Sequence, residues 1–277
     1  MKKTVDPTPA TIEIQEVKQG TLDIFLVGTS PLLLNRMSEK AKRELLIPRG
    51  RLSAADKLTK LKHVPIDEFR AAAHRLPDGE TLLAFPSSGF KAAMSTAAID
   101  LPGTKKSQIG RWCYVDGEYT RIWGVPYLYM TTVRMADMNR TPDIRTLCIV
   151  PKWAARVRVN YVQSFLSVNA VANLVAAGGI YVGIGDGRPE KGKLSFGRYR
   201  VVEEDDAEFN QIVKEGGREV QLKAMQDATP YDGQSAEMLD YHESELKRRN
   251  FETSTKAKSV PKVKVQVKEQ DEEEVAV

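Results

Sequence analysis

The stretch ARVRVNYV at Ala155–Val162, followed by QSFLSVNAVANLVAAGG and then IYVGIGDGRPEKGKLSFGRYRVV to Val202, decides how the chain is read. Side chains of a strand point alternately to its two faces. The alternation therefore puts Ala155, Val157, Val159 and Tyr161 on one face and Arg156, Arg158 and Asn160 on the other. An apolar run with helical spacing comes next. Ser167 offers a hydroxyl to an unpaired first-turn N–H, and Gly178-Gly179 is suited to closing that helix at Ala177. Ile180–Ile184 then reads as a strand, Gly185–Ser195 as a glycine-rich loop and Phe196–Val202 as a further strand.

An earlier part of the chain repeats this plan at greater length. Thr21–Val27 (TLDIFLV) predicts a buried strand ended by the turn signal Gly28-Thr29-Ser30-Pro31. A polar helix is expected over Pro65–Arg75 and a strand over Thr81–Phe85. Pro86-Ser87-Ser88-Gly89 then opens a helix through Ala98, with serine as N-cap. Arg111–Val133 contains hairpin-like pieces around Asp116-Gly117, and the polar core of Thr131–Val150 reads as an exposed loop or long hairpin. There are thus two strand–helix–strand units, one over 21–133 with insertions and one over 155–202. They predict an α+β chain with a modified ferredoxin-like, or RRM-like, fold, large insertions and a helical C-terminal extension. The expected organisation is an arm at 1–19 and a domain at 20–202 with insertions at 36–80 and 131–150. An extension at 203–251 follows, with helices at 205–215, 218–227 and 235–249, and then a disordered charged tail at 252–277.

Composition narrows the classes of function. Apolar residues make up 42% of the 277 and charged residues 28%, an ordinary globular balance. No apolar stretch approaches the roughly 20 residues that cross a bilayer. The start, MKKTVDPTPATIEIQE, lacks the apolar centre of a signal peptide. Cys113 and Cys148 have no metal-ligand spacing and the three histidines are scattered, so neither a metal nor another cofactor is expected. These features predict a cytoplasmic protein with no membrane partner. The formal charge of +4 includes Glu269, Asp271, Glu272, Glu273 and Glu274, so the rest of the chain is more basic by five. A basic body with an acidic end suggests a polyanionic partner.

Glycines at 183, 185 and 187, in GIGDGR, resemble a dinucleotide fingerprint only superficially. That fingerprint needs a strand before the glycines and a helix after them, whereas here the helix precedes. No GK[ST] opens a helix, which excludes a Walker loop. What remains is a simple long hairpin, or a loop whose backbone can approach a partner closely.

The sequence GIGDGRPEKGKLSFGRYRV, with its preceding helix, resembles the carboxy-terminal glycine-rich signature of the RAMP superfamily, which includes backbone subunits of CRISPR effector complexes. VGTSPLLLNRM is similar to that family's first strand and following loop, and FPSSGFKAAMSTAA to its proline-serine helix start. The resemblance covers about 21–202 and departs at 36–62 and beyond 202. The chain also resembles uncharacterised bacteriophage and prophage proteins, which would place it in the cytoplasm of a bacterial host.

The RAMP resemblance implies a domain that lays single-stranded RNA or DNA along its surface and stacks into a filament, and hence a homo-oligomer. It implies nucleic-acid contacts from Lys91, Arg156, Arg158, Gly183, Gly185, Gly187, Arg188, Lys191, Lys193 and Arg198. An extended hairpin, the thumb, reaches over the neighbouring subunit in that family. Arg134, Arg140 and Arg145, with Met135 and Met138, lie in the matching segment. The same TPDIRT reads equally as an ordered turn in which Asp143 bonds its own backbone.

Some members of the family cleave RNA with an acidic residue after the first strand. Asp56 is the only aspartate in the matching insertion and lacks the motif around it. His63 and His74 have no carboxylate assignable as a partner, and no nucleophile elbow, HExxH or kinase set is present. The expectation is a protein without a catalytic residue that binds single strands and assembles along them. A metal-independent endoribonuclease of the same fold and a viral structural or assembly protein are the alternatives.

Overall fold

Strand β1 (Gln19–Gly28) lies inside an antiparallel sheet because its two flanks are both paired, to β10 (Tyr199–Val202) and to β9 (Ala154–Val162). The computed structural model describes residues 16–37, 42, 45–46, 61–134, 138–192 and 194–249. Strand β6 (Tyr119–Trp123) extends the sheet beyond β9, followed by β4 (Leu83–Pro86) and β3 (His74–Arg75). Taken in chain order, β1, β6, β9 and β10 lie in the spatial order fourth, first, third, second. Helix α2 (Ser87–Ala97) joins the first to the second, and α4 (Val168–Ala177) the third to the fourth. Two crossover helices and this order make the ferredoxin-like βαββαβ arrangement.

The two faces of the sheet are covered differently. Ile24, Leu26, Val157, Val159 and Tyr161 bury against Phe90 and Met94 of α2 and Val171 and Leu174 of α4. On the other face, Val27, Trp123 and Ala154 pack against Phe209 and Ile212 of α5 (Ala207–Glu215). Phe25 meets Phe209 edge-on at 5.3 Å between ring centroids. Each such side chain contributes about 1.5–3 kcal/mol by leaving water. Helix α5 occupies one end of this face. Asp23, Arg156 and Arg158 of the same face stay accessible to solvent.

A second, three-stranded sheet runs β2 (Leu32–Leu34), β8 (Pro142–Val150), β7 (Tyr127–Arg134). Strands β7 and β8 pair from Tyr127↔Ile149 to Arg134↔Pro142, so the polar segment of the sequence folds as a long hairpin. The outer edge of β7 is partly closed by the chain ahead of α7 (Gly233–Arg248): Leu128 N–H donates to the Thr229 carbonyl, and Tyr231 N–H to that of Leu128. Ahead of β3 lies α1 (Pro65–Ala71). Helix α3 (Lys106–Trp112) leads directly into β5 (Cys113–Val115), and α6 (Arg218–Asp227) follows α5. The chain divides into two units, Met1–Leu239 and Asp240–Val277. In the second, the described residues end α7, where Glu245 pairs with Arg248 and Arg249. Among the described residues no helix is long and apolar enough to cross a membrane.

Three local expectations are corrected. Ile180–Ile184 is not a strand: the helix continues through a wider, π-type turn at Gly178–Val182, and the chain breaks at Gly183 with φ 72°. A Cβ on Gly179 would sit 2.2 Å from the Tyr199 carbonyl oxygen. Glycine is there to let β10 pass close, not to cap the helix. Serine does not cap α2 either. The N-cap is Pro86, and the Ser87 hydroxyl instead meets the Thr120 hydroxyl at 2.9 Å. Finally, Asp116-Gly117 closes no hairpin, because β5 and β6 both pair with β9 and the segment bulges out of one interrupted strand. Ser167 does cap α4, accepting from Ala170 N–H at 3.2 Å.

Candidate nucleic-acid interface

Alternation along β9 brings Arg156 and Arg158 to one face, as the sequence predicts, and register places Asp23 of β1 opposite them. Arg158 donates to both Asp23 oxygens at 2.9 and 3.1 Å, and Arg156 to one of them at 3.1 Å. The Arg158 guanidinium holds the Asp23 carboxyl below its ordinary value; burial opposes this, and Arg156 adds to it. Arg156 also lies 5.5 Å from the centre of the Phe25 ring. Two guanidiniums against one carboxylate leave this face positive but internally satisfied.

The glycine loop runs from the end of a helix to a strand, and its arginines turn to the chain's own backbone. Asp186 N–H donates to the Leu33 carbonyl and Gly197 N–H to that of Pro31, so the loop closes the free edge of β2. A Cβ on Gly185, which has φ 81°, would stand 2.6 Å from the Leu33 oxygen. The close approach that Gly183, Gly185 and Gly187 permit is therefore made, at Gly185, to the chain's own backbone. Arg188 donates to the Gly185 carbonyl and to Glu190, each at 3.0 Å, and Lys191 lies 4.0 Å from the same glutamate. Arg198 donates to the Ile180 carbonyl at 2.9 Å. Lys193 lies outside the described residues.

On the hairpin, Arg134, Arg140 and Arg145 are exposed and make no ion pair with a described residue; Arg140 has φ 49° and the Met138 side chain is fully exposed. Met135 lies outside the described residues, as do Asp56, the acidic residues of the tail and most of 36–62. Asp143 accepts from its neighbour Ile144 N–H at 3.0 Å, as an ordered turn requires. It also meets Lys62 and the Nε2 of His63, whose Nδ1 faces Glu68 at 3.2 Å. The sequence reading assigned His63 no carboxylate partner; tertiary folding gives it two.

Lys91 lies in the first turns of α2, whose N-terminal N–H groups receive no side-chain cap. There the surface opens into a cleft of about 380 Å³ lined by Ser88, Lys91, Tyr114, Glu118 and Tyr119, among others. Tyr119 also borders a second cleft, of about 390 Å³, with Arg36, Arg70, His74 and Arg75. The His74 and Tyr119 rings are 5.1 Å apart. Burial first, and then the charges of Arg36 and Lys42, hold His74 below its ordinary value, with Glu118 opposing. The local field is thus positive. Sequence reasoning missed Tyr114, Tyr119, Arg70 and Arg75. They come from separate segments that only the pairing of β3, β4, β6 and β9 brings together. Among the described residues no group of three or more His, Cys, Asp or Glu is placed to hold a metal.

No protein-family model matches the sequence, and no curated protein does. Among solved structures the chain is similar to one in type III-B Cmr-beta, determined by cryo-EM with cognate target RNA bound. The two are 13% identical with a TM-score of 0.32, and the match covers 67% of this chain. This chain spans 60% of that neighbour's length. The ferredoxin-like assignment rests on the strand order itself.

Proposed function

We propose that this chain binds single-stranded nucleic acid by shape and charge, without cleaving it. The observation that supports this reading is the cleft at the start of α2. A helix N-terminus without a side-chain cap and Lys91 favour a phosphate there, while Tyr114 and Tyr119 offer ring faces to bases. The exposed arginines of the β7–β8 hairpin and the Arg156–Arg158 face give further sequence-independent attraction. Assembly along the strand as a homo-oligomer, through a head-to-tail contact of the hairpin with a neighbouring copy, belongs to the same proposal. So do kinship with the RAMP superfamily and an origin in a bacteriophage. Fluorescence anisotropy with labelled U12, dT12 and a duplex of equal length tests binding. Single strands should bind more tightly than duplex, and Lys91→Glu should weaken them; equal affinity for duplex would sink the reading. Light scattering with and without a long single strand tests assembly, and a monomer at every ratio would contradict it.

A metal-independent endoribonuclease is the second reading, favoured by His63 between Glu68 and Asp143 with Lys62 beside it. Such a histidine can take and give a proton at fixed geometry. Cleavage of labelled RNA in EDTA, lost in His63→Ala, would replace binding with catalysis; intact RNA after hours would remove this reading.

A further inference from the structure

We propose that the outer face of the three-stranded sheet is a second seat for a base of the single strand, stacked on Tyr231 and bordered by Tyr127 and Tyr129, with its phosphate at Arg145. The inference rests on the strand-binding reading and deepens it, because it gives the strand a contact besides the cleft at Lys91. It starts from register. The pairs Leu128↔Cys148 and Met130↔Thr146 turn one face of β7 and β8 to the main core, where Leu128, Met130 and Cys148 are buried. Tyr127↔Ile149 and Tyr129↔Leu147 then share the other face, and Leu33 of β2 joins them opposite Ile149. Leu33, Leu147 and Ile149 form a small cluster of their own, and what packs on them is Tyr127, Tyr129 and Phe196 rather than a helix.

The rings make a row. Between centroids, Tyr127 and Tyr231 lie 6.5 Å apart, Tyr231 and Tyr129 6.0 Å, and Tyr129 and Phe196 6.4 Å, each pair edge to face. Tyr231 is the exposed ring of the row, and β7 holds it from behind. Its N–H donates to the Leu128 carbonyl at 2.8 Å, and four residues on the buried Ser235 hydroxyl accepts from the Met130 N–H at 3.0 Å. A base laid parallel to Tyr231 stands at 62° to Tyr127 and at 82° to Tyr129. Stacking on one ring thus keeps the preferred edge-to-face angle with the other two. The backbone that carries the ring is already fixed, so ordering it on binding costs little.

The hydroxyls and Arg145 give the face its class of ligand. Those of Tyr127, Tyr129 and Tyr231 make no hydrogen bond with a described residue, which leaves them for the polar rim of a base. Arg145 is exposed on the same face, opposite Thr131 and one pair beyond Tyr129↔Leu147, about 7 Å along β8 from Leu147. An arginine at that step can grip the phosphate that flanks a stacked base. Asp143, one pair further, is engaged by Lys62 and by the Ile144 N–H. A proline-rich peptide also lies on tyrosine rings, but it brings no anion to Arg145; a nucleotide brings both ring and anion. The face also continues onto the hairpin that carries Arg134 and Arg140, so the strand has a path of exposed guanidiniums beyond the seat.

The test uses the full chain and U12 carrying 4-thiouridine, irradiated and mapped by mass spectrometry, beside the anisotropy of labelled U12 in a salt series. Crosslinks should form at Tyr231 or Tyr129 as well as in the Lys91 cleft. Tyr231→Leu should weaken U12 by roughly 5- to 150-fold while leaving the salt slope in place, and Tyr231→Phe, which keeps the ring, should recover most of that loss. Arg145→Gln should lower the slope of log affinity against log salt by about 0.7. If U12 binds Tyr231→Leu as it binds wild type and crosslinks only at Tyr114 or Tyr119, the seat is wrong and the strand-binding reading stands. If it crosslinks at Tyr231 and its affinity is unmoved by Lys91→Glu, the seat stands and the strand does not lie in the α2 cleft. Absence of U12 binding at any salt overturns both. A wild-type dimer that Tyr231→Leu dissolves, with no crosslink on this face, would make it a contact between copies and overturn the seat. Should Tyr231→Leu melt early, crosslinking of wild type carries the test alone.

Discussion

Two groups of arginines in this molecule are treated in different ways. On the open face of the sheet, Arg156 and Arg158 share Asp23 across one register pair, and the charge is balanced where it arises. On the β7–β8 hairpin, Arg134, Arg140 and Arg145 are exposed and make no ion pair with a described residue. The first group is balanced by a carboxylate; the second keeps its charge at the surface. The glycine loop belongs with the first kind. Its arginines donate to backbone carbonyls and to Glu190, bracing a turn that covers β2. Cations that look alike in the sequence thus divide into those that hold the fold, as Arg188 and Arg198 do, and those left at the surface.

The largest effect should come from breaking the brace. Gly185→Ala forces a left-handed backbone onto a residue with a Cβ, costing about 1–3 kcal/mol before its clash with the Leu33 carbonyl is counted. Gly192→Ala, with nothing within 4 Å of the new carbon, should be far milder. Chemical denaturation of both variants checks the contrast. Equal losses would mean the loop is not seated against β2 as described.

Next in size is the difference between the two arginine groups in binding. Arg134→Gln with Arg145→Gln should lower the salt slope for U12 clearly more than Arg156→Gln with Arg158→Gln, since the second pair also releases Asp23. Equal changes would erase the distinction between the two groups.

What could be read from sequence follows the same division. The alternation of β9, the Ser167 cap and the helices near 218–227 and 233–248 depend on neighbours in the chain, and they were legible. The π-type turn was not, because Gly179 answers to Tyr199 of a later strand rather than to its own helix. Nor was β2: three leucines after a proline carry no period, and they become a strand only by pairing with Cys148–Val150 of β8. The Tyr119 cleft was invisible for a similar reason. Its residues span positions 36 to 119 and meet only through β3, β4 and β6.

The cleft beside Tyr119 and the open sheet face should also separate by pH. His74 sits below its ordinary value of 6.5 in the folded chain, so below that pH the unfolded chain binds more protons and stability falls with acidification. Asp23 sits below its ordinary 3.8, so its contribution is present above that value and is lost as pH falls through the folded one. Melting curves should show a first decline below about 6.5, flattened in His74→Gln, and a second in the acid range. A single acid limb unaffected by His74→Gln would contradict the burial of His74 among cations.

Smallest is the effect of removing the balance itself. Asp23→Asn should leave the melting temperature nearly unchanged, since its partners are half exposed, yet raise affinity for single strands at low salt by freeing two guanidiniums. Unaltered affinity would mean the open sheet face takes no part in binding.

The central claim is that single strands are held at the face where Lys91, Tyr114 and Tyr119 meet. The most direct measurement is the affinity of labelled U12 for wild type and for Lys91→Glu with Tyr119→Leu, across a salt series, with thermal melting as the control for folding. The account predicts salt-dependent binding by wild type and a loss of at least about tenfold in a variant that still folds, from the aromatic and the charge combined. Undiminished binding by a folded double variant would contradict it.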